Sequence, residues 1–274
     1  MKPDFAAIVA SMRLYNFHTH TQFCDGHSSI DEMARAAVEG GFSHIGFTPH
    51  SPVGIPSPCN MSADDVPAYL AAVDSLNDRY GDRCRFYKGM EIDYLGPACN
   101  AADSYFSDLG LDFAISSVHF IPAQNGELID IDGRYERFRT NMLTHFGDDI
   151  RYVVETFYSR SIDMLRQGGF DILGHFDKIS QNASYHHPGI EDEGWYRSLI
   201  DDYIARIIDS GVIVEINTKA RAEHGRFFPG VRYWQRLIDA GVPVLVNSDA
   251  HYADRLSASR DEAFDILDSL GYGC

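Results

Sequence analysis

Short apolar runs recur along the chain and alternate with segments of helical periodicity, in which apolar residues return every three or four positions. The seven apolar runs that predict β-strands lie at residues 14–18, 43–48, 85–92, 111–118, 170–174, 211–217 and 242–247. Helix starts are indicated where a hydroxyl residue precedes acidic ones, as at Ser29-Ile30-Asp31-Glu32. Strands that are separated by crossover helices must run parallel. The pattern therefore predicts an α/β fold built from seven βα units.

Polar side chains that can bind metals stand at the C-terminal ends of these runs. His18 and His20 follow the first run, and Asp249 and His251 follow the last. Residues i and i+2 of a strand point to the same face, so each pair can direct two ligands to one point. The full set of strand-end ligands is His18, His20, His50, Glu91, His119, His175, Asp249 and His251. Seven parallel strands with all ligands at one end are typical of a (β/α) barrel.

The number of ligands indicates more than one metal ion. One four-coordinate ion cannot use eight protein ligands and still keep a position open for water, so the set predicts two or three divalent ions. Imidazole and carboxylate ligands suit zinc, manganese or iron, and the sequence does not choose among them. Cys24 lies close to the histidine pair, but a thiolate among hard ligands is unusual.

Length and composition favour one globular domain. The chain has 274 residues, and no linker or charge block divides it, so we expect a single domain over residues 1–274. An aromatic share of 12% excludes disorder as a description. The formal net charge of −17 argues against a nucleic-acid partner, because a phosphate backbone is held by concentrated lysine and arginine. A small phosphorylated substrate could still bind a metal-rich pocket.

The sequence also predicts the compartment. The first residues lack the basic, apolar and small-residue order of a signal peptide, and no apolar stretch approaches the ~20 residues of a membrane span. Five cysteines at irregular spacings fit free thiols in a reducing compartment. We therefore expect a cytoplasmic protein with no membrane partner. The oligomeric state cannot be read from the sequence.

The chain resembles the PHP (polymerase and histidinol phosphatase) superfamily over nearly its whole length. The resemblance rests on ordered fragments, namely F-H-T-H, C-D-G-H, T-P-H, G-M-E-I-D-Y, S-S-V-H-F, G-H-F-D, E-I-N-T and N-S-D-A-H. Within the superfamily the chain is most similar to the histidinol-phosphate phosphatase branch. The resemblance implies a distorted (β/α)7 TIM-like barrel, with a trinuclear metal site at the C-terminal ends of its strands.

The resemblance also distributes the ligands over three ions. It implies His18, His20, Glu91 and Asp249 for the first metal, a bridging Glu91 with His119 and His175 for the second, and His50 with His251 for the third. The third site would be completed by a residue of the first loop, where related phosphatases often have C-G-H and this chain has Cys24-Asp25-Gly26-His27. We favour Asp25 and keep His27 as the alternative.

Two basic residues are candidates for binding phosphate, because the family uses basic residues in the same two regions. Lys178 follows His175 by three residues, and Arg221 follows the strand that ends at Asn217. The usual N-T-S-G-L-R pattern is replaced here by N-T-K-A-R, and Arg226 lies near enough to compete with Arg221 for the role.

The predicted function is the hydrolysis of L-histidinol phosphate in histidine biosynthesis, by attack of a metal-bound hydroxide. Glu91 and Asp249 would act through the metals, and Asp25 would protonate the departing alkoxide. The alternatives are another small phosphate ester or nucleotide as substrate, an amidohydrolase-type deaminase, and a non-enzymatic metal-binding subunit. The remaining histidines are interpreted as surface, core or solvated-loop residues, and they are His44, His145, His186, His187 and His224.

Overall fold

Strands and helices alternate along the chain, of which this computed structural model describes residues 2–55 and 57–272. The strands are β1 (Tyr15–Asn16), β2 (His44–Phe47), β3 (Arg85–Lys88), β4 (Glu91–Asp93), β5 (Ile115–Ser117), β6 (Phe120–Pro122), β7 (Leu128–Asp130), β8 (Ile172–Leu173), β9 (Ile213–Asn217) and β10 (Val244–Asn247). The helices are α1 (Phe5–Ser11), α2 (Ile30–Glu39), α3 (Val66–Tyr80), α4 (Ser104–Asp108), α5 (Tyr135–His145), α6 (Ile150–Gln167), α7 (Ile179–His186), α8 (Gly194–Ser210), α9 (Arg221–His224), α10 (Trp234–Asp239) and α11 (Arg260–Ser269). Each of the seven predicted strand runs contains a strand. Cys274, one of the predicted free thiols, lies outside the described residues.

The strands form two parallel sheets and one hairpin. One sheet has the order β1-β2-β3, and the other has the order β10-β9-β8-β5-β4. Two isolated parallel bridges join both edges of the five-stranded sheet to the other sheet, and they pair Thr19 with Ala250, which follows β10, and His50, which follows β2, with Glu91 of β4. The predicted α/β fold with parallel strands is confirmed. A single closed sheet is not formed by the hydrogen-bonded strands of the described residues.

The third predicted run, residues 85–92, is divided into β3 and β4. The break falls at Gly89, where a Cβ atom would lie 2.5 Å from Cζ of Phe113 and 2.7 Å from Cγ2 of Thr48. The Gly89 carbonyl accepts a hydrogen bond of 2.6 Å from the Tyr69 hydroxyl, while the Gly89 amide still donates to the carbonyl of Phe47 at 2.9 Å. The hairpin of β6 and β7 was not predicted, and it follows β5 directly.

Local sequence explains how the helices start and where they pack. Ser29 and Glu32 form a capping box at the start of α2, as the sequence predicts. Phe157 of α6 and Ile204 of α8 share a buried apolar cluster with Ile172 of β8, so these helices cover the five-stranded sheet. A second buried cluster joins α2 and α3 to the three-stranded sheet. None of the helices in the described ranges has the length and apolarity that crossing a membrane requires.

Candidate metal centre

The predicted ligands follow their strands at a regular offset. His18, His119, His175 and Asp249 are each the second residue after the end of a strand, namely β1, β5, β8 and β10. Parallel strands end at the same edge, so these four side chains meet at one end of the fold. The other predicted ligands, His20, His50, Glu91 and His251, lie in the same cluster. The structure thus brings all eight together.

The first and last loops are held side by side by the backbone. The amide of His20 donates to the carbonyl of Ala250 at 2.8 Å, and the amide of His27 donates to the carbonyl of His251 at 2.7 Å. These bonds place Nε2 of His20 3.3 Å from Oδ1 of Asp249. Ligand residues that are more than 200 positions apart in sequence therefore share one site.

Glu91 lies at the centre of the cluster, and its two oxygens face different histidines. Oε2 is 3.1 Å from Nε2 of His18 and 3.2 Å from Nδ1 of His50. Oε1 is 3.0 Å from Nε2 of His175 and 3.6 Å from Nε2 of His119. A carboxylate between two groups of imidazoles is well placed to bridge two ions.

Asp25 rather than His27 lies beside the residues predicted to bind the third ion. Oδ1 of Asp25 is 3.2 Å from Nε2 of His251 and 3.8 Å from Nε2 of His50. The ring of His27 instead stacks on Tyr252, with the ring centroids 4.5 Å apart, and its side chain is exposed. Of the two alternatives from the sequence, the geometry favours Asp25.

The donor set fits divalent cations. Nδ1 of His18 donates to the Glu215 carboxylate at 2.6 Å, which directs Nε2 of the same ring toward Glu91 and His20. Nδ1 of His251 donates to the carbonyl of Asp249 at 3.0 Å, which leaves its Nε2 lone pair toward Asp25. Buried lone pairs and carboxylate oxygens this close repel one another unless a cation lies between them.

The charges of the cluster are strongly coupled. Burial alone raises the pKa of Glu91, but His18, His50 and His119 hold the pKa of this carboxyl well below its usual range. Burial alone would lower the pKa of the His119 imidazole, but Asp93 and Glu91 raise it to about 10. The carboxylates are therefore ionised at neutral pH, which is the state that ligates metals.

Carboxylates behind the ligands orient their rings, and our sequence interpretation did not assign them this role. Asp93 accepts a hydrogen bond from Nδ1 of His119 at 2.6 Å, and Glu215 does the same for His18. Asp93 is two residues after Glu91 on the same strand, so the i, i+2 rule that paired His18 with His20 would have found it. Such partners set the tautomer and direction of a metal-binding imidazole.

A cavity of about 650 Å³ opens above the cluster. Its wall includes Asp25, His50, Glu91, His119, His175 and Asp249 from the cluster, and beyond them Asp130, Asp132, Tyr135, Glu136, Lys178, Tyr185, Lys219, Glu223 and His224. The predicted phosphate ligand Lys178 is thus in the cavity wall, where its Nζ lies 3.5 Å from Oδ2 of Asp132.

The two arginines proposed from sequence are engaged elsewhere. Arg221 pairs with Glu262, with Nε at 2.9 Å, and its Nη1 donates to the carbonyl of Gly225. Arg226 pairs with Glu191 and donates to Ser180. Neither arginine belongs to the cavity wall. The basic residue of this loop that reaches the cavity is Lys219, which our sequence interpretation did not select.

Known proteins match this chain over most of its length. A model of the PHP domain family matches residues 16–219. A probable histidinol-phosphatase of Deinococcus radiodurans is 24% identical over 261 residues, which cover 90% of this chain and 93% of that protein. The histidinol-phosphatase of Bacillus subtilis is also 24% identical, over 263 residues that cover 86% of this chain and 92% of that protein.

Solved structures show the same fold. A protein from Listeria monocytogenes assigned as a histidinol phosphatase superposes with a TM-score of 0.80 at 19% identity, and the match covers 90% of this chain and 99% of that one. The histidinol phosphate phosphatase of Lactococcus lactis, solved with zinc, L-histidinol and phosphate, gives a TM-score of 0.68 at 18% identity, with 96% and 95% covered.

Proposed function

This chain belongs to the PHP domain family, and from that premise we propose that it is a metal-dependent phosphomonoesterase that hydrolyses L-histidinol phosphate to L-histidinol and phosphate. The observation that carries the proposal is the buried imidazole and carboxylate cluster around Glu91, which opens into a cavity whose wall contains Lys178. The names of the two full-length relatives from Deinococcus and Bacillus agree with this activity.

We propose that the cluster holds two or three divalent ions, with zinc as the first choice. When bound, such ions lower the pKa of water toward neutrality and offset the charge on the phosphoryl oxygens. Glu91 would hold two of the ions together, because each of its oxygens faces a different group of histidines. Glu215 and Asp93 would keep the lone pairs of His18 and His119 directed at the ions.

Asp25 fits the role of a ligand better than that of a proton donor. Its Oδ1 is buried, has no hydrogen-bond partner among the described residues, and lies within 3.8 Å of nitrogens of His20, His50 and His251. Burial would raise its pKa, but these histidines hold the pKa of Asp25 far below its usual range. A carboxyl that stays ionised cannot donate a proton to an alkoxide.

The cavity wall contains carboxylates and aromatic rings that could receive a cationic leaving group, although Arg134 and Arg137 also belong to this wall. Glu136 and Glu223 are exposed carboxylates of this wall, and the rings of Tyr135 and Tyr185 lie 5.6 Å apart beside them. Carboxylates attract an ammonium group, and aromatic faces stabilise a nearby cation. L-histidinol phosphate has an ammonium group and an imidazole at the end opposite its phosphate, so the two ends of the substrate would match the two ends of the cavity.

Further features of the protein belong to the same proposal. The bridges at both sheet edges and the strand order around the cluster support a distorted (β/α)7 barrel. Ligands from His18 to His251 support one domain, since the centre needs both ends of the chain. A role in histidine biosynthesis fits a cytoplasmic enzyme that binds a small phosphorylated substrate. The net charge of −17 fits a protein that binds no nucleic acid.

The test is phosphate release from L-histidinol phosphate by protein loaded with zinc, manganese or iron, measured beside a panel of nucleotides and other phosphomonoesters. We expect L-histidinol phosphate to give the highest kcat/KM. Faster turnover of a nucleotide would reassign the substrate within the phosphoesterases. Ammonia release from amines or amides without phosphate release would instead make the protein a deaminase or amidase.

A further inference from the structure

The side-chain amide of Asn60 lies where the two parallel sheets meet. Its Nδ2 donates to Oδ2 of Asp93 at 2.6 Å and to the carbonyl of Ser51 at 2.7 Å. Ser51 follows His50 on the side of β2, whereas Asp93 ends β4 in the other sheet. Both partners are acceptors, and an amide nitrogen has two hydrogens, so both donors are used and the orientation of the amide is fixed.

The loop that carries Asn60 is held by its main chain at both ends. The amide of Ser51 donates to the carbonyl of Glu91 at 2.8 Å, and the amide of Met61 donates to the carbonyl of His50 at 3.1 Å. The Met61 side chain is buried in the apolar cluster that joins α2 and α3 to the three-stranded sheet. These contacts determine where the amide of Asn60 can reach.

Asp93 divides its two carboxylate oxygens between His119 and Asn60. Oδ1 accepts from Nδ1 of His119 at 2.6 Å, and Oδ2 accepts from Asn60. Asp93 is only 1% exposed, so water cannot readily replace a partner that is removed. With one oxygen held by Asn60, the direction of the other oxygen toward His119 is fixed as well.

The same carboxylate has a second possible role. Asp93, His50 and His119 each offer one atom that could bind a metal, and these atoms lie within 4.8 Å of one another. The N–H groups of Asn60 and His119 compete with an ion for the two oxygens of Asp93. Asn60 therefore favours Asp93 as the partner of the His119 ring over Asp93 as a ligand.

We propose that Asn60 is a positioning residue of the metal centre, which acts through Asp93 to hold the imidazole of His119 in the direction that binds metal. The contacts run from Asn60 to Asp93 and on to Nδ1 of His119, whose Nε2 lies 3.6 Å from Oε1 of Glu91. This inference rests on the proposed metal-dependent function. It adds a residue for which the strand-end pattern of the sequence gives no signal.

The loss of this contact should weaken metal binding. Removing a partner of a metal-binding histidine usually lowers metal affinity by about 10 to 100-fold, and Asn60 acts one contact further away. For Asn60→Ala we expect at least one zinc ion to bind about tenfold more weakly. Asn60→Asp has nearly the same shape but places a second carboxylate against Asp93, so we expect a larger loss from the repulsion of like charges.

The experiment measures the zinc affinity of the full chain by competition with a chelator. A double-mutant cycle with Asp93→Ala tests the route, because Asn60→Ala should cost nothing further once Asp93 is absent. Asn77→Ala is the matched control. The amide of Asn77 makes two hydrogen bonds, of 2.8 and 3.0 Å, to the main chain of Phe86, and neither residue belongs to the cavity wall. This variant should lower the stability and leave the zinc affinity unchanged.

A second measurement covers a loss of folding in Asp93→Ala. In the zinc-loaded protein, the hydrogen bond to the Asp93 carboxylate should shift the NMR signal of the Nδ1 proton of His119 far downfield. We expect this signal to move upfield or to exchange faster with water in Asn60→Ala, and to stay unchanged in Asn77→Ala. The variant His119→Ala identifies the signal by its loss.

Two results would overturn the inference. Unchanged zinc affinity in both Asn60 variants would give the amide a purely structural role. An equal loss of affinity with and without Asp93 would mean that Asn60 acts by another route. These quantities are equilibrium affinities, so they test Asn60 even if the natural substrate is not L-histidinol phosphate. A protein that follows the expected zinc behaviour but releases no phosphate would contradict the proposed function alone.

Discussion

Nδ1 of His18 donates a hydrogen bond of 2.6 Å to Oε1 of Glu215, and both side chains are completely buried. Burial would lower the pKa of the His18 imidazole, but Glu215, Glu91 and Asp249 raise it well above the ordinary value. Glu215 also accepts from the amide of His175 at 3.0 Å. One buried carboxylate therefore positions two ligand residues from different strands.

We predict that Glu215→Gln weakens metal binding by about 10 to 100-fold, the usual effect of removing a partner of a metal-binding histidine. The side-chain amide of this variant also places an N–H donor where the side chains of Asn217 and Asn247 already donate to the Glu215 carboxylate. We therefore expect the free energy of unfolding to fall by about 1–3 kcal/mol. Zinc titration against a chelator and denaturant unfolding measure the two effects. Glu155→Gln, at an exposed residue paired with Arg151, should alter neither quantity.

The strand pattern shows how much of the site the sequence contains. Alternation and strand ends predicted that His18, His20, Asp249 and His251 converge, because a parallel sheet brings strand ends to one edge. The same pattern does not predict which way a long side chain in a loop will point. Arg221 turns to Glu262 on α11, a contact with a residue 41 positions away that no local rule predicts.

The fold shows the same limit. Each predicted run contains a strand, because its apolar residues are buried on both faces of a parallel sheet. The division of residues 85–92 at Gly89 depends on the ring of Phe113 and the hydroxyl of Tyr69, which come from other parts of the chain. Register and sheet breaks therefore follow from tertiary contacts rather than from the run itself.

The second prediction concerns metal content. We expect two to three transition-metal ions per chain by elemental analysis, and a chelator should abolish phosphate release. His119→Ala removes a ligand that faces Glu91 at 3.6 Å, so it should lose metal as well as turnover. His145→Ala, at a histidine outside the cavity wall, is the control. A wild-type stoichiometry near one would contradict a centre with more than one ion.

The third prediction separates the two roles considered for Asp25. If Asp25 is a ligand beside His50 and His251, the Asp25→Asn variant should contain less metal. Its rates of hydrolysis of an alkyl phosphate and of p-nitrophenyl phosphate should then fall by the same factor. As a proton donor it would slow the alkyl ester by about 10² or more and spare p-nitrophenyl phosphate, whose anion leaves unaided. Parallel kinetics on the two esters, with metal analysis, distinguish these outcomes.

The fourth prediction concerns stability against pH. Burial raises the pKa of Asp177 from 3.8 to about 7, and its Oδ2 accepts a hydrogen bond from the amide of Gly230. The folded protein keeps this proton up to about pH 7, while the unfolded chain releases it near pH 4. The contribution of Asp177 to stability is thus complete below about pH 4 and is lost as pH rises toward 7.

Asp177→Asn carries a neutral amide at every pH and should escape that loss. Relative to the wild type, its free energy of unfolding should increase between pH 4 and pH 8, by up to about 4 kcal/mol. Denaturant unfolding at the two pH values measures this difference, and effects of the metal ligands that the two proteins share cancel. Asp163→Asn, at an exposed residue paired with Arg166, should show no pH-dependent difference. A constant offset would mean that Asp177 is ionised in the folded protein.

The fifth prediction concerns the leaving group. Glu136 and Glu223 are exposed carboxylates of the cavity wall and do not belong to the predicted metal ligands. Because they attract the cationic end of L-histidinol phosphate, we expect kcat/KM for this ester to exceed that for uncharged alkyl phosphates by at least about tenfold, or ~1.4 kcal/mol. The double variant Glu136→Gln, Glu223→Gln should lose most of this preference and keep its rate on the alkyl esters, since the phosphate end is unchanged. Glu127→Gln, at a glutamate outside the wall, should retain the preference. Equal losses on both kinds of ester would show that these carboxylates support the metal centre or the fold, and recognition of the cationic end would then have to come from other residues of the wall.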